Sequence, residues 1–395
     1  MFIVGIDIAK RNHAVKIITS EGESVCKTFF IRNNCTGYNL LLGCLRNLTI
    51  CKSEFIIAME STAHYWLPLY TRLRKDGYTV VVLNPIQTYT MRDLLIRETK
   101  TDHIDALLIA EVIRFGRYSA SNVPQEKLLA LRELCRNRFY LKDLASDLKR
   151  KLIALLDQVF PEFETAFESS LCKSALAVLK KYPTPEKLAK AQLCKLTEVL
   201  RTASNKRFGE WKAQKLKELA KNSFGIPDCE GVYSSLVLLY LEQLQTFEKR
   251  IETLDHQIED LFLPFHSTLT SVSGIGPVLG AVILSEVKDI SCFSSADKLA
   301  AYAGIEPTVK QSGEMRFGGI HMSKRGSSYL RRAIWMASTV AVQHDPMFRA
   351  YYEKKAAEGM RYGKIIGHAT KKMVAVIYAV MRDNKIYEPV LKSAV

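Results

Sequence analysis

The hydrophobic period of this chain changes near residue 120, and that change divides what it can fold into. Before it, short apolar runs alternate with segments of helical spacing. Residues 2–8 read as a strand, and residues 13–19 and 24–31 follow as β-rich runs around the Glu21-Gly22 turn, together an antiparallel meander. Residues 38–48 have helical spacing, 54–59 form an apolar strand, and 65–75 form a helix closed by Gly77. The TVVVL run at 79–83 is a buried type of strand stopped by Asn84-Pro85, and 101–115 is an amphipathic helix ended by Gly116. The order βββ-α-β-α-β-α specifies an α/β domain over residues 1–120, a mixed sheet with helices on its faces.

After the change the pattern is helical. Val237, Tyr240, Leu244, Phe247, Ile251, Leu254, Ile258 and Leu261 recur at steps of three and four, an a/d seam of about three and a half heptads. A rougher seam runs through Leu141, Leu144, Leu148, Leu152, Leu155 and Val159 and stops at Pro161, while KYPTPEK (180–187) marks a turn between helices. Residues 121–265 are therefore expected to be an all-α coiled-coil region. The seams pair either within the chain as a hairpin or between chains as a dimer contact. Residues 266–395 read as a third, mainly α domain, punctuated by glycine and basic.

Charge narrows the partner. The 395 residues carry 56 Lys/Arg against 41 Asp/Glu, a net of +15. Residues 298–395 hold 17 Lys/Arg and 7 Asp/Glu, so +10 of that excess lies in the last quarter. A polyanion, nucleic acid first, is the expected partner. Nine cysteines without a CxxC pair give neither a zinc pattern nor a disulfide framework, and a reduced cytoplasmic setting follows. The opening MFIVGIDIAK enters a strand directly and lacks a leader layout, and no apolar run approaches the ~20 residues of a membrane helix, so no membrane partner is expected.

Four acids stand where a mixed sheet builds sites. Asp7 ends the first strand in VGIDIAK, Glu60 directly follows the strand FIIAM, and Asp102 and Asp105 lie three residues apart on the third helix. That spacing puts the last two on one helix face with Cβ atoms about 5–6 Å apart. Carboxylates so grouped repel one another unless a cation lies among them. Mg²⁺, with Mn²⁺ as the alternative, takes such hard oxygen ligands and stabilises attacking and leaving oxygens in phosphoryl transfer. Taken singly, each acid also reads as a turn residue or a helix cap.

The C-terminal third offers a different chemistry. Ser273-Gly274-Ile275-Gly276-Pro277 before an apolar helix resembles the turn of a helix-hairpin-helix, in which Gly274 and Gly276 would let backbone N–H groups approach a phosphate; a plain glycine-rich connection fits equally. Beyond it, Ser312-Gly313 is expected on a loop between helices, among Lys310, Arg316, Lys324, Arg325, Arg331 and Arg332. A hydroxyl in such cationic surroundings can act as a nucleophile on a phosphate the cations hold. Ser323, Ser327 and Ser328 are local rivals, with Ser327 also placed to cap the next helix.

Taken in order, GIDIAK, AMEST, KTDHIDA, SGIGP and AGIEP…QSG…MSKRGSSYLRRA resemble the transposases of the insertion-sequence one-ten family, relatives of the pilin-gene invertases. The resemblance spans roughly residues 1–115 and 269–380. It implies an RNase H-like, RuvC-like N-terminal domain with a DEDD set at Asp7, Glu60, Asp102 and Asp105. It also implies a C-terminal serine, here Ser312, that forms a covalent phosphoserine link with DNA. Donor and target DNA, a structured non-coding guide RNA, assembly as a homodimer or homotetramer, and a nucleoid-associated place in a bacterial cytoplasm follow from the same resemblance. The acids and the serine lie about 200 residues apart, so a composite site is expected. Two other readings remain: a metal-dependent, junction-resolvase-like nuclease that uses water and gives Ser312 no role, and a non-catalytic DNA-binding regulator.

Overall fold

The computed structural model describes residues 1–85, 87–89, 102–116, 118, 126–308, 311–312, 315–316 and 321–389; of Asp102 and the residues from Pro307 to His321 it describes backbone only. The chain divides into two compact units, Met1–Pro124 and Gln125–Val395.

The first unit is a five-stranded mixed sheet with helices on both faces. Its strands are β1 (Phe2–Asp7), β2 (Asn12–Thr19), β3 (Phe29–Arg32), β4 (Phe55–Glu60) and β5 (Thr79–Leu83), in the order β3-β2-β1-β4-β5. β1 pairs antiparallel with β2 and parallel with β4, and β5 continues parallel to β4. This order and mixture of directions are consistent with an RNase H-like domain. Side-chain alternation divides the core. Val4, Ile6, Val15, Ile17, Ile57 and Met59 face the helices α1 (Cys35–Leu48) and α2 (Leu67–Lys75). Ile3, Ile18, Ala58, Val81 and Leu83 face α3 (Asp102–Arg114), which contributes Leu108, Ile109, Val112 and Ile113.

One strand is shorter than its sequence suggests. Of residues 24–31 only the last three join β3, and Ser24 makes an isolated bridge to Ile18. The Lys16 ammonium instead bonds Ser24 Oγ at 2.6 Å and the Cys26 carbonyl at 2.7 Å, which satisfies this backbone without a ladder.

The second unit is mainly helical. Two long helices, α4 (Glu126–Val159) and α9 (Val232–Phe262), run antiparallel along each other, as the pairs Arg138–Asp255 and Lys149–Glu248 show. The heptad seam therefore meets its partner within the chain. Val237, Leu244, Ile251 and Ile258, one residue per heptad, are buried, whereas Tyr240, Phe247, Leu254 and Leu261 are half-buried. Between the long helices the chain forms α5 (Lys173–Lys181), α6 (Pro185–Ala189), α7 (Leu193–Ala203) and α8 (Glu210–Lys221), which pack on one end of the pair. The KYPTPEK turn falls between α5 and α6.

At the other end of the pair, a second core gathers α10 (Pro277–Val287), α11 (Ala296–Ala303), α12 (Ser328–His344), α13 (Pro346–Ala357) and α14 (Tyr362–Asp383). Between α11 and α12 the chain forms four two-residue strands, β6 (Pro307–Thr308), β7 (Gln311–Ser312), β8 (Met315–Arg316) and β9 (His321–Met322). β6 pairs with β9 and β7 with β8, one antiparallel ladder nested in the other. All nine cysteines are free thiols. Among the described residues no helix is long and apolar enough to cross a membrane.

Candidate active site

The sheet brings two of the four acids side by side. Ile6 is in register with Met59 across the parallel β1–β4 pair, so Asp7 and Glu60, one residue further on, end neighbouring strands at one level. By alternation Asp7 shares a face with Ile3 and Gly5, and Glu60 shares one with Ala58; both acids stand on the side covered by α3. Asp105 lies in the first turn of α3 and is half-buried, as are Asp7 and Glu60. Asp102 opens the same helix, and its side chain lies outside the described residues. Among the described residues no group of three His, Cys, Asp or Glu side chains is tight enough to hold a metal ion.

Gly5 sets the height of α3 over these strands. A Cβ there would sit on the Ala106 carbonyl oxygen and 2.7 Å from the Ala110 nitrogen, so only glycine lets the helix backbone approach this closely. Ala106 is the neighbour of Asp105, and the missing side chain on β1 therefore positions that acid. Glycine inside an apolar strand is a readable sign of close approach, and sequence reasoning passed over it. It also missed Thr88. This buried hydroxyl donates to Glu60 Oε2 at 2.8 Å and lies 2.9 Å from the Pro85 carbonyl. No local pattern announces a threonine 28 residues from its partner.

Ser312 is on a strand rather than on an irregular loop, paired with Met315 at the end of the inner ladder. Ladder pairing satisfies a backbone that α11 and α12 leave without helical partners. One of its three rivals has a structural duty. Ser327 caps α12, accepting from the Leu330 N–H at 3.1 Å and donating to Glu286 Oε2 at 2.8 Å. Among the described residues the Ser323 hydroxyl is buried without a partner, and Ser328 is the exposed first residue of α12.

The cations that the sequence gathers near Ser312 divide by what they touch. Lys324 and Arg325 are exposed on the stretch leading to α12. Arg331 donates to the Ala303 carbonyl at 3.0 Å. Arg332 grips Asp143 of α4 with two bonds of 2.8 and 2.9 Å, and its guanidinium stacks 4.5 Å over the Phe139 ring. Arg316 is on β8 with its side chain outside the described residues, as is the whole of Lys310.

The glycine turn lies between a 3₁₀ turn (Thr268–Ser271) and α10. Gly274 has φ +90°, and a Cβ on it would strike the Ala337 carbonyl, so its form is needed for packing on α12. Gly276 is exposed at the α10 N-terminus, where no side chain caps the helix and nothing lies near the glycine. Free N–H groups at such an end suit an anion.

Comparison with known proteins adds a consistent set of likenesses. A transposase model of the DEDD type matches residues 4–161, and a second, described as the transposase IS116/IS110/IS902 family, matches residues 266–353; together they span more than half of the chain. An uncharacterized 44.8 kDa protein of insertion element IS116 from Streptomyces clavuligerus is 29% identical over 98% of this chain and 96% of its own length. A 43.6 kDa protein of insertion element IS110 from Streptomyces coelicolor is 28% identical over 82% of this chain and 80% of its own. The pilin gene-inverting protein of Moraxella lacunata is 24% identical, covering 98% of this chain and 97% of its own.

Proposed function

The chain belongs to the IS110 family of insertion-sequence transposases, and from that premise we propose that it cuts and rejoins DNA through a covalent phosphoserine intermediate formed by Ser312. The observation that supports this most is the pairing of two chemistries in one polypeptide: acids at the ends of β1 and β4 beneath α3, and a serine on a short ladder within a basic stretch of the chain.

In this reading the Ser312 Oγ attacks a backbone phosphorus. The serine–phosphorus bond forms as the bond to one deoxyribose oxygen breaks, the serine hydroxyl gives up its proton, and the leaving oxygen takes one. A sugar hydroxyl from the second DNA end then attacks the same phosphorus and releases the serine. Each step trades one phosphate ester for another, so the bond energy is conserved. Lys324 and Arg325 hold the flanking phosphates by charge, and the N–H groups at Gly276 hold another.

Asp7, Glu60, Asp102 and Asp105 would hold Mg²⁺, or Mn²⁺ in its place. The chemistry of the donors supports this, since hard carboxylate oxygens end adjacent strands and a further acid lies in the first turn of the covering helix, although the described side chains alone do not close a metal site. The ion would supply charge neutralisation at the phosphate. Thr88 holds Glu60 by one oxygen and fixes the carboxylate's orientation. A structured non-coding RNA as guide, a homodimer or homotetramer as the working assembly, and a helix-hairpin-helix role for the turn at Gly274 and Gly276 belong to the same proposal.

Recombination of a plasmid carrying the element ends tests the proposal. Ser312→Ala should abolish strand joining, and Asp102→Asn with Asp105→Asn should abolish both activity and its dependence on Mg²⁺. Full recombination by the serine variant would remove the nucleophile, and metal-dependent activity in the double variant would remove the metal site.

A further inference from the structure

Residues 162–265 lie outside both matched segments and contain a cleft apart from the candidate active site. The cleft, about 630 Å³, lies between the segment leading into α5 and the turn joining α7 to α8. Lys212 of α8 is only 8% exposed, and its ammonium lies 5.0 Å from the centroids of Phe167 and Phe208 and 5.3 Å from that of Trp211. Aromatic faces attract a cation but do not replace a counter-ion. Among the described residues no hydrogen-bond acceptor or carboxylate pairs with this ammonium. Burial lowers its pKa from the ordinary lysine value.

The surroundings add to this positive charge. Lys173 and Arg207 are exposed on the walls, against one acid, Glu168. α5 begins at the wall with Cys172 as its N-cap and no side-chain cap hydrogen bond, so first-turn N–H groups are available to an anion. Trp211 is 59% exposed, a large flat ring that the core does not use, braced edge-on by Phe208 at 6.2 Å. A carboxylate or a free phosphate would use the cations and leave this ring idle. A nucleotide uses both, because a base stacks on an indole while its phosphate takes the positive charge.

We propose that this cleft binds a single-stranded polynucleotide, one base stacked on Trp211 and the adjoining phosphate held by Lys212, Arg207, Lys173 and the α5 N-terminus. The inference does not depend on Ser312 or on the metal, and it gives the central helical region a role separate from strand joining.

The test uses the full chain with two 12-nucleotide homopolymers, one RNA and one DNA, each carrying a photoreactive 5-iodopyrimidine. Irradiation followed by peptide mapping should place a crosslink on Trp211 or Phe208. Trp211→Ala should weaken binding at least about fivefold, with an unchanged circular dichroism spectrum. Lys173→Gln with Arg207→Gln should lower the salt dependence by about 0.7 in log–log slope for each phosphate no longer held. Preference for the RNA or for the DNA oligomer identifies the natural strand, and either supports the site. Crosslinks confined to other segments, with Trp211→Ala binding as the parent does, would overturn it. So would equal competition by poly-glutamate or inorganic phosphate.

Discussion

Replacing Gly5 by alanine is the sharpest structural perturbation of the acid cluster, because it adds one methyl group and touches no carboxylate. The new Cβ would fall on the Ala106 carbonyl and 2.7 Å from the Ala110 nitrogen, both helix backbone atoms that cannot swing aside. The Ala106 oxygen would lie 2.1 Å away where ordinary contact needs about 3.5–4.0 Å, so α3 must lift from β1 by more than about 1 Å. Overpacking of this kind costs about 1–3 kcal/mol. Asp105 moves with the helix while Asp7 and Glu60 stay with the strands, and a misplacement of about 1 Å is enough to cost about 100-fold in rate. The comparison is Gly43→Ala on the exposed face of α1, where nothing lies near the glycine. That substitution should stabilise by about 0.5–1 kcal/mol and leave the rate alone. Urea unfolding gives the stability change, and Mg²⁺-dependent recombination gives the rate. A Gly5→Ala protein that recombines DNA at the parental rate would refute the idea that α3 positions a working acid over these strands.

Other expectations follow from single contacts. Glu286 is buried and receives two bonds from Arg136, at 2.7 and 3.1 Å, and one from Ser327; Glu286→Ala removes all three while Arg136, 34% exposed, regains water, and should cost about 1–3 kcal/mol, read by denaturant melts. His13 is buried, and burial holds its pKa below the ordinary 6.5. The unfolded chain therefore takes up a proton below about pH 6.5 that the folded chain refuses, so stability is lost as pH falls from there toward the folded pKa. Urea midpoints at pH 7.5 and 5.5 should show a smaller drop in His13→Gln than in the parent, and an equal drop would discount His13. Arg332→Ala should lower stability by about 1 kcal/mol and leave the salt dependence of DNA binding unchanged. Lys324→Ala and Arg325→Ala should each reduce that slope by about 0.9; the reverse pattern in a salt titration would reassign these cations.

How far the sequence disclosed this molecule depends on how local each feature is. TVVVL marked β5 to the residue, because five β-favouring positions, four of them apolar, lie between Gly77 and the Asn84-Pro85 stop. The strand ends that place Asp7 and Glu60 were equally legible, since the chain order fixes which strands lie together and alternation fixes the face. The heptad seam announced α9 but not its partner, because the same pattern satisfies a hairpin or a dimer; the antiparallel fit on α4 is a tertiary fact. The ladder under Ser312 escaped notice because two-residue strands are too short to show a period. The ring cage around Lys212 draws on residues more than forty positions apart, and no spacing rule connects Phe167 to Trp211.

A covalent bond between Ser312 and DNA would be recorded in the reaction products themselves. Purified protein is mixed with radiolabelled DNA carrying the element ends and Mg²⁺, quenched in denaturant, and run on a denaturing gel; the slow-moving adduct is then digested and its peptides sequenced. The account predicts a nucleotide linked through phosphate to Ser312, absent in Ser312→Ala. Cleaved DNA with no attached protein, or an adduct at any other residue, would contradict it.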